Sequence, residues 1–538
     1  MTSDLFAAVQ QWLAHDPDPH AAAELAACST EDLAERFAAT LTFGTAGLRG
    51  PMRAGPNGMN LAVVLRATWA LGTVLTRHGR GGEQVIVGYD ARHHSAEFAR
   101  GAAEVLAAQG FPVTLMFAPV PTPVVAFTVR HTGAAAGVQI TASHNPASDN
   151  GYKVYAAGGL QIVSPVDTEI EAAIAVAPPA DEIPRGEVTT SGTEFVTRYL
   201  ERASSVRRAS GSVRVALTPM HGVGGDYALD ALALAGLSDV AVVEAQFAPD
   251  PDFPTVTFPN PEEPGATDRL LSLAADIDAD IAIALDPDAD RCAIGVPTAS
   301  GWRMLSGDET GWLLGDYLLC DADAGSAVVA STVVSSRMLA RIAAGYGAHH
   351  VETLTGFKWL ARADEGLDAT LLYAYEEAIG HCVDPAAVRD KDGISAAVLA
   401  CDMVAALRAR GLSVTDALDE LARRHGVHTT TAITRRIESP SAAAELMADL
   451  RSRPPQRLAS YPVETIDLAP RTDALVCTGG DAATSVRVVI RPSGTEPKLK
   501  CYLEVRCDGD LEAARTRAAQ LQATLAEQVR ELTQRGPN

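Results

Sequence analysis

The chain of 538 residues is predicted to be an α/β protein of several domains, with mixed sheets covered by helices. Three observations lead there. Apolar, strand-like runs alternate with helical patterns along most of the chain, the order that builds parallel or mixed sheets with helices on their faces. The length exceeds what one hydrophobic core can serve, so three or four domains are expected. The composition, 47% hydrophobic and 21% charged, is that of an ordinary globular protein.

Residues 3–40 form an amphipathic helical preface, with Leu5, Phe6, Val9, Trp12 and Leu13 at helical spacing, and are assigned to packing. Residues 43–50 (FGTAGLRG) follow as a glycine-rich loop ending near Arg49. Its spacing is not that of a P-loop, and no strand precedes it as a dinucleotide fingerprint requires. Residues 85–90 read as a strand, 95–109 as a helix with Ser95 as its cap, and 111–117 as the next strand; a helix then follows Pro121-Thr122-Pro123. Asp90, Arg92 and Ser95 are given structural roles.

The apolar run 136–140 ends in Thr141-Ala142-Ser143-His144-Asn145-Pro146. Proline has no amide proton to give a sheet and restricts the residue before it, so the strand must stop there. Ser143 is left on a tight turn at the carboxyl end of a strand, where open α/β sheets place ligand sites. His144 adjoins it, and Lys153 lies beyond an expected Asn150-Gly151 turn. A hydroxyl, an imidazole and an ammonium around one turn suit an activated nucleophile or a phosphate carrier.

A second unit, residues 196–303, carries strands at 213–217, 240–244 and 279–285 and helices at 226–236 and 267–278. Its third strand runs into Asp286-Pro287-Asp288-Ala289-Asp290-Arg291. Three carboxylates at alternate positions repel one another and raise one another's pKa unless a cation sits among them, and a hard, oxygen-seeking magnesium ion suits them. An EF-hand is excluded, since its sixth position would be Arg291 and its twelfth Pro297. A phosphotransferase with Asp286 as an aspartyl nucleophile would have Thr or Val where Asp290 stands. Residues 249–264 are a proline-rich surface excursion.

A third unit, about 304–428, has strands at 326–333 and 370–375 and helices at 393–411 and 413–426. Tyr375-Glu376-Glu377-Ala378-Ile379-Gly380-His381 follows its second strand, and carboxylates there could accept hydrogen bonds from vicinal hydroxyls. Lys358, and Arg389 with Lys391 in RDKDG, add cations. The last unit, 429–538, has strands near 429–437, 485–491 and 499–507, then a helix from 510 to about 532. Between its final strands, Arg491 offers a planar fork, Ser493 and Thr495 offer hydroxyls, and Gly494 lets backbone amides face an anion, which together make a phosphate cradle beside Lys498.

A net charge of −23 argues against nucleic acid or an anionic membrane as partner and requires cations to be gathered locally for an anionic substrate. Eight scattered cysteines without a CxxC pair read as reduced thiols. The first residues lack a signal peptide's basic start and apolar core, and no apolar run reaches membrane-spanning length, so a cytoplasmic protein is expected.

ITASHNP followed by NGYK resembles the phosphoserine loop of the α-D-phosphohexomutases, the phosphoglucomutases and phosphomannomutases, and three further loops follow in that family's order. The resemblance implies three similar α/β mixed-sheet domains plus a smaller C-terminal α+β domain around a central cleft. The expected boundaries are 1–195 (helical preface and phosphoserine loop), 196–303 (metal loop), 304–428 (sugar loop) and 429–538 (phosphate loop). It implies that Ser143 carries a phosphoryl group and that Arg49 reaches that phosphate. Asp286, Asp288 and Asp290 would hold Mg2+, with the phosphoserine giving the next oxygen. Arg291, Lys358, Glu377 and His381 would contact substrate, while Arg491, Ser493, Gly494 and Thr495 grip its non-reacting phosphate. The family's sugar loop often reads GE-x-SGH; Ile379 replaces that serine, as in the branch holding larger phosphoglucomutases and phosphopentomutases.

The expected enzyme is a mutase interconverting glucose 1-phosphate and 6-phosphate through a phosphoserine and a 1,6-bisphosphate that also serves as activator. Mannose or pentose phosphates are the alternative substrates, and a metal-dependent sugar phosphatase is the alternative from another class. A non-catalytic sensor would need a damaged core, and none of Ser143, the three aspartates or Arg491 is missing. His144 and Lys153 are the candidate proton-transfer groups, sugar phosphates the only expected partners, and the chain is expected to be a monomer or homodimer whose last domain moves as a lid.

Overall fold

Strands made of small and β-branched residues, buried on both faces, form the centre of each α/β sheet, as helices packed on both sides of a sheet require. All five residues of Ala136–Ile140 and of Ile281–Leu285, and all six of Ala327–Thr332, are buried. The structure, a computed structural model, describes residues 2–44, 47–437, 439–492 and 498–534. The chain forms two compact units, residues 1–305 with 378–406, and residues 306–377 with 407–538.

In the first unit a seven-stranded sheet has the order Leu48–Pro51, Asp149–Ala156, Ala136–Ile140, Val85–Tyr89, Val113–Met116, Thr190–Ser191, with Leu160–Gln161 paired to the second of these. Its centre is parallel, whereas Asp149–Ala156 returns antiparallel to Ala136–Ile140, with Tyr152 opposite Ile140. Helices Leu61–Arg77, Ser95–Ala108 and Thr122–Thr132 supply its apolar cover. The five-stranded second sheet runs Gly301–Met304, Cys292–Thr298, Ile281–Leu285, Val215–Thr218, Val240–Val242, parallel at its centre and antiparallel toward Gly301.

The second unit holds a parallel sheet of His349–Thr353, Ala327–Thr332 and Thr370–Glu376. It also holds an antiparallel sheet in the order Val427–Arg436, Lys498–Cys507, Thr484–Pro492, Leu475–Gly480, Tyr461–Asp467, Arg457–Leu458, with helix Leu511–Gln534 packed on it. Three mixed α/β layers and a last domain with an antiparallel sheet are thus the architecture expected from the sequence.

Three local expectations are corrected. Asn150-Gly151 is not a turn but part of strand Asp149–Ala156; the reversal is made just before it, with Asn145 N–H donating to Ala142 O and Asp149 N–H to Pro146 O, both at 3.1 Å. The buried Asn150 amide is instead used to tie the strand to His93 O at 2.9 Å and Ser95 Oγ at 3.0 Å. Ser95 does not cap its helix: His94 stands at the N-cap, and the Ser95 hydroxyl donates to Asp90 Oδ1 at 2.6 Å. The preface is helical and packs as expected, in three helices, Ser3–His15, Pro19–Ala27 and Thr30–Phe37, with Val9, Leu25 and Leu33 buried; the correction there is Phe6, which is exposed and lies outside that packing. Among the described residues no helix is long and apolar enough to cross a membrane.

A buried polar network joins the two sheets of the second unit. Glu504 accepts from Ser336 Oγ at 2.7 Å, from Arg337 N and Nε at 2.8 and 2.9 Å, and is bonded to His428 Nδ1 at 2.9 Å. Burial pushes Glu504 up, but the contacts with His428 and Arg337 hold it well below the usual carboxylate range. Asp308, at the start of helix Gly307–Leu319, accepts from Ser336 N at 2.8 Å and Tyr375 Oη at 2.9 Å. Burial, with the nearby Glu377 and Glu504 charges, pushes its carboxyl up to about 7 against the Ser336 and Tyr375 donors.

A carboxyl whose folded pKa exceeds its unfolded value contributes stability below the unfolded pKa and loses it as pH rises through the folded one. We therefore expect the Asp308 contribution to decline between about pH 4 and pH 7. Asp308→Asn cannot ionise, so in urea unfolding its stability deficit relative to wild type should shrink by about 1–4 kcal/mol from pH 4 to pH 8. A deficit independent of pH would show that Asp308 is ionised in the folded protein.

Candidate active site

The turn after Ala136–Ile140 holds Ser143 in a left-handed conformation, φ 54°. A non-glycine residue in that region carries strain that its surroundings must impose. They do so here: Ser143 N–H donates to Thr141 Oγ1 at 2.9 Å, and Arg92 donates to Ser143 O at 2.7 Å, Asn145 O at 2.5 Å and Pro146 O at 2.7 Å. Arg92 is itself buried against Asp90, 3.4 Å away. The pair acts as a clamp on the loop's carbonyls, the structural role expected for it.

Ser143 Oγ donates to Asp286 Oδ2 at 2.8 Å and lies 3.2 Å from His144 Nδ1. Asp286, Asp288 and Asp290 are fully buried, and ligand atoms from the three lie within 4.8 Å of one another. Lys153 reaches them from the returning antiparallel strand, its Nζ donating to Asp288 Oδ2 at 2.6 Å and Asp290 Oδ2 at 2.8 Å. Lys391 Nζ stands 3.3 Å from the same Asp290 oxygen, and Thr122 Oγ1 donates to Asp288 Oδ2 at 2.6 Å.

These partners divide the trio electrostatically. Burial and Asp290 push Asp288 up, but Lys153 holds it below the ordinary carboxylate value; Asp290 is likewise held down by Lys153, Lys391 and Arg291 against its burial. Among the described residues Asp286 has no ammonium partner. Burial, then Asp288 and Asp290, push it well above the ordinary value. Burial lowers Lys153, yet Asp288 and Asp290 more than offset this and keep it charged.

Asp288 Oδ1 and Asp290 Oδ1 are buried without a hydrogen-bond partner among the described residues. Two orphaned carboxylate oxygens beside a third, raised carboxyl fit a hard divalent cation, which takes oxygen ligands.

The loop's shape depends on two glycines that motif reading passed over. A Cβ on Gly222 would stand 2.3 Å from Pro287 Cα, and one on Gly393 would stand 2.4 Å from Arg291 O. Val223 N–H donates to Pro287 O at 2.9 Å, Thr122 N–H to Asp288 O at 2.9 Å and Gly393 N–H to Ala289 O at 3.1 Å, so three chain segments pin the loop's backbone. Gly222 and Thr122 follow strand ends elsewhere in sequence, and nothing local marks them; Gly393 and Lys391 carried a signal in the charged run RDKDG.

The other expected residues distribute as follows. Arg49, on strand Leu48–Pro51, reaches Asn145 Oδ1 at 3.5 Å, while its buried Nε finds no partner among the described residues. Arg291 N–H donates to Asp286 Oδ1 at 3.0 Å, and its guanidinium approaches Glu262 at 3.6 Å and Asp290 at 3.9 Å. Burial, then Arg291 and Arg49, hold His144 well below the ordinary histidine value, and burial pushes the His381 imidazole down to about 3.

The sugar-loop motif is split between the units: Ala378 to His381 belong to the first and Glu377 to the second. Ile379, at φ 54°, is 2% exposed and packs into the core of the first unit with Met220 and Val243. In the second unit Glu377 Oε2 accepts from Ser335 Oγ at 2.9 Å and Thr332 Oγ1 at 3.1 Å, two buried hydroxyls that fix the carboxylate and that the sequence did not single out. Lys358 starts near Trp359, with Nζ 5.9 Å from its ring, and Arg491 pairs with Lys500 across the antiparallel sheet. Ser493, Gly494 and Thr495 lie outside the described residues.

Known proteins share both sequence and fold. Profiles of Phosphoglucomutase/phosphomannomutase match in four stretches: alpha/beta/alpha domain I over residues 40–179, domain II over 193–300, domain III over 306–426, and the C-terminal domain over 480–523. The chain is 39% identical over 473 residues to a "probable phosphomannomutase" of Haemophilus influenzae, a match covering 86% of this chain and 96% of that one. It is 34% identical over 555 residues to a phosphopentomutase of Mus musculus, covering 92% and 89%. A solved phosphoglucomutase/phosphomannomutase family protein of Burkholderia thailandensis shares the fold, with TM-score 0.69 at 19% identity over 92% of this chain and 98% of that one.

If the aspartates form a cation site, MgCl2 should raise the melting temperature of wild type, and Asp286→Asn should abolish that rise. Because Asp286 has no ammonium partner among the described residues, the same variant should melt no lower than wild type in EDTA, whereas Asp290→Ala, which removes one of the two carboxylates bonded to Lys153 and an ion pair of Lys391, should melt lower. Equal Mg2+-dependent shifts in wild type and Asp286→Asn would refute the site.

Proposed function

The chain belongs to the phosphoglucomutase/phosphomannomutase family and is a phosphosugar mutase, an intramolecular phosphotransferase; from that premise we propose that it works through a phosphoserine at Ser143 and prefers a pentose phosphate to glucose phosphate. The observation that carries the sugar assignment is Ile379. Where many family members have a serine in the sugar loop, this side chain is buried in apolar core and offers no hydroxyl to a ring. A site that forms fewer hydrogen bonds to the sugar discriminates least against a smaller ring. The names of the two relatives above, phosphopentomutase and "probable phosphomannomutase", support a sugar other than glucose, although a human relative 32% identical over 94% of this chain is called glucose 1,6-bisphosphate synthase. Mannose phosphate is the second reading, favoured by the 39% identity to the Haemophilus protein.

In this scheme the bond between phosphorus and Ser143 Oγ breaks as one forms to the free hydroxyl of the sugar monophosphate. The sugar hydroxyl loses a proton and Ser143 Oγ gains one. The resulting bisphosphate, a 1,6-bisphosphate for a hexose, turns over and returns its other phosphoryl group to Ser143. His144 Nδ1, at 3.2 Å from Ser143 Oγ, is placed to exchange that proton. Lys153 and Arg49 supply fixed positive charge near the loop, and the Arg92 clamp holds Ser143 in attack geometry. Asp286, Asp288 and Asp290 are the proposed ligands of Mg2+, which when bound neutralises charge on a transferring phosphoryl group. Glu377, with one oxygen held by Thr332 and Ser335, is assigned to accept from sugar hydroxyls, and His381 is assigned to the sugar as well. Arg291, Lys358 and Arg491, with Ser493, Gly494 and Thr495, are assigned to the substrate's phosphates.

Competing ribose, deoxyribose, mannose and glucose 1-phosphates against one another should give the highest kcat/KM for a pentose; a glucose preference would overturn the sugar assignment. Ser143→Ala should lower mutase kcat by on the order of 10³-fold or more and should not incorporate phosphate from a sugar bisphosphate, as read by intact mass. Full activity in that variant would remove Ser143 as carrier. Ser335→Ala should raise KM more than it lowers kcat, because it loosens the group that binds the ring before and during transfer alike.

A further inference from the structure

Arg66, on helix Leu61–Arg77 of the first unit, has no role in the chemistry above. Three arginines of the preface and first unit find carboxylates: Arg36 with Asp32 at 3.0 Å, Arg53 with Glu35 at 2.9 Å, Arg80 with Glu83 at 2.5 Å. In a chain with 67 acidic residues that is the expected fate of a cation. Arg66 makes no ion pair among the described residues. One terminal nitrogen donates to Ile174 O at 3.0 Å and Ala177 O at 3.5 Å, and the buried Nε has no partner there. Burial lowers its pKa and no carboxylate acts against it. Arg66 is half-buried with its Nε fully buried, and a cation partly withdrawn from water gains from a partner that pairs with it.

Arg66 lines a cavity of about 470 Å³ between helix Ser3–His15 and the helical layer of the first sheet. That volume falls in the range of small-molecule sites. Trp12 and Phe37 line the same space with their rings edge to face, centroids 6.2 Å apart, and small residues such as Ala62 and Ala177 complete it. Aromatic rings offer apolar area to a flat body, and a guanidinium fork matches a carboxylate. Arg66 is the one lysine or arginine among the described residues lining the cavity, and His15, also in the lining, is already bonded to Asp181 at 3.0 Å, so the cavity offers one unpaired cation.

We propose that this cavity is a second ligand site, separate from the phosphoryl-transfer residues, that takes a small organic monocarboxylate with a ring-sized apolar body. The carboxylate pairs with Arg66, and the body lies against Trp12 and Phe37. The preface helices would then be a binding element and not packing alone.

Isothermal titration of the full chain with 1-naphthoate tests this. Wild type should bind one equivalent saturably, and Arg66→Gln should bind at least tenfold more weakly. Ala177→Phe, which fills the cavity without touching the charge, should do the same and decides the matter if Arg66→Gln does not fold. The uncharged 1-naphthamide should bind more weakly than 1-naphthoate to wild type and equally to wild type and Arg66→Gln. No saturable binding of 1-naphthoate to wild type, or binding undiminished in Ala177→Phe, overturns the proposal.

Discussion

Three carboxylates buried side by side govern the first unit. Asp286, Asp288 and Asp290 sit with essentially no solvent exposure, where like charges neither hydrate nor screen one another. The fold answers with Lys153 and Lys391, which meet Asp288 and Asp290 on their Oδ2 atoms and leave the other oxygen of each without a hydrogen-bond partner among the described residues. Among the described residues Asp286 accepts hydrogen bonds from the Ser143 hydroxyl and the Arg291 amide, and the Arg291 charge offsets its burial only in part. Asp286, beside the serine, is therefore the aspartate whose burial the surrounding cations offset least.

Bringing those charges together explains much of the surrounding architecture. Strand Asp149–Ala156 reverses direction against an otherwise parallel sheet centre, and this return carries Lys153 back to the level of the Ser143 turn. The aspartate loop is approached so closely by Gly222 and Gly393 that neither position can carry a side chain without displacing backbone. Arg92 spends its donors on the carbonyls of the serine turn, an arrangement that stabilises a left-handed residue which would otherwise relax. Strain at one residue is offset by a buried ion pair and several charge-assisted hydrogen bonds.

The second unit uses the opposite device. Its acids, Asp308, Glu377 and Glu504, are held mainly by hydroxyl and amide donors from the segment containing Thr332, Ser335 and Ser336, with Arg337 and His428 added at Glu504. That segment thereby couples the parallel sheet to the antiparallel one and also orients Glu377. The division of the YEEAIGH stretch between the two units gives its residues different surroundings: Glu377 keeps a partly exposed carboxylate, while Ile379 serves as core.

The sequence alone determined the alternation of strands and helices, the turn at Ser143 and the acidic triplet, because each is written in local periodicity or in residues that stop a strand. It also identified the clamp residues Asp90 and Arg92 as structural. Only tertiary structure decided which cation meets which acid, that Asn150-Gly151 continues a strand, that Ser95 bonds Asp90 instead of capping a helix, and that Thr332 and Ser335 hold Glu377. Those outcomes depend on partners tens or hundreds of residues away, whose approach is set by sheet register and by the room that Gly222 and Gly393 leave. Spacing along the chain carries no record of that room.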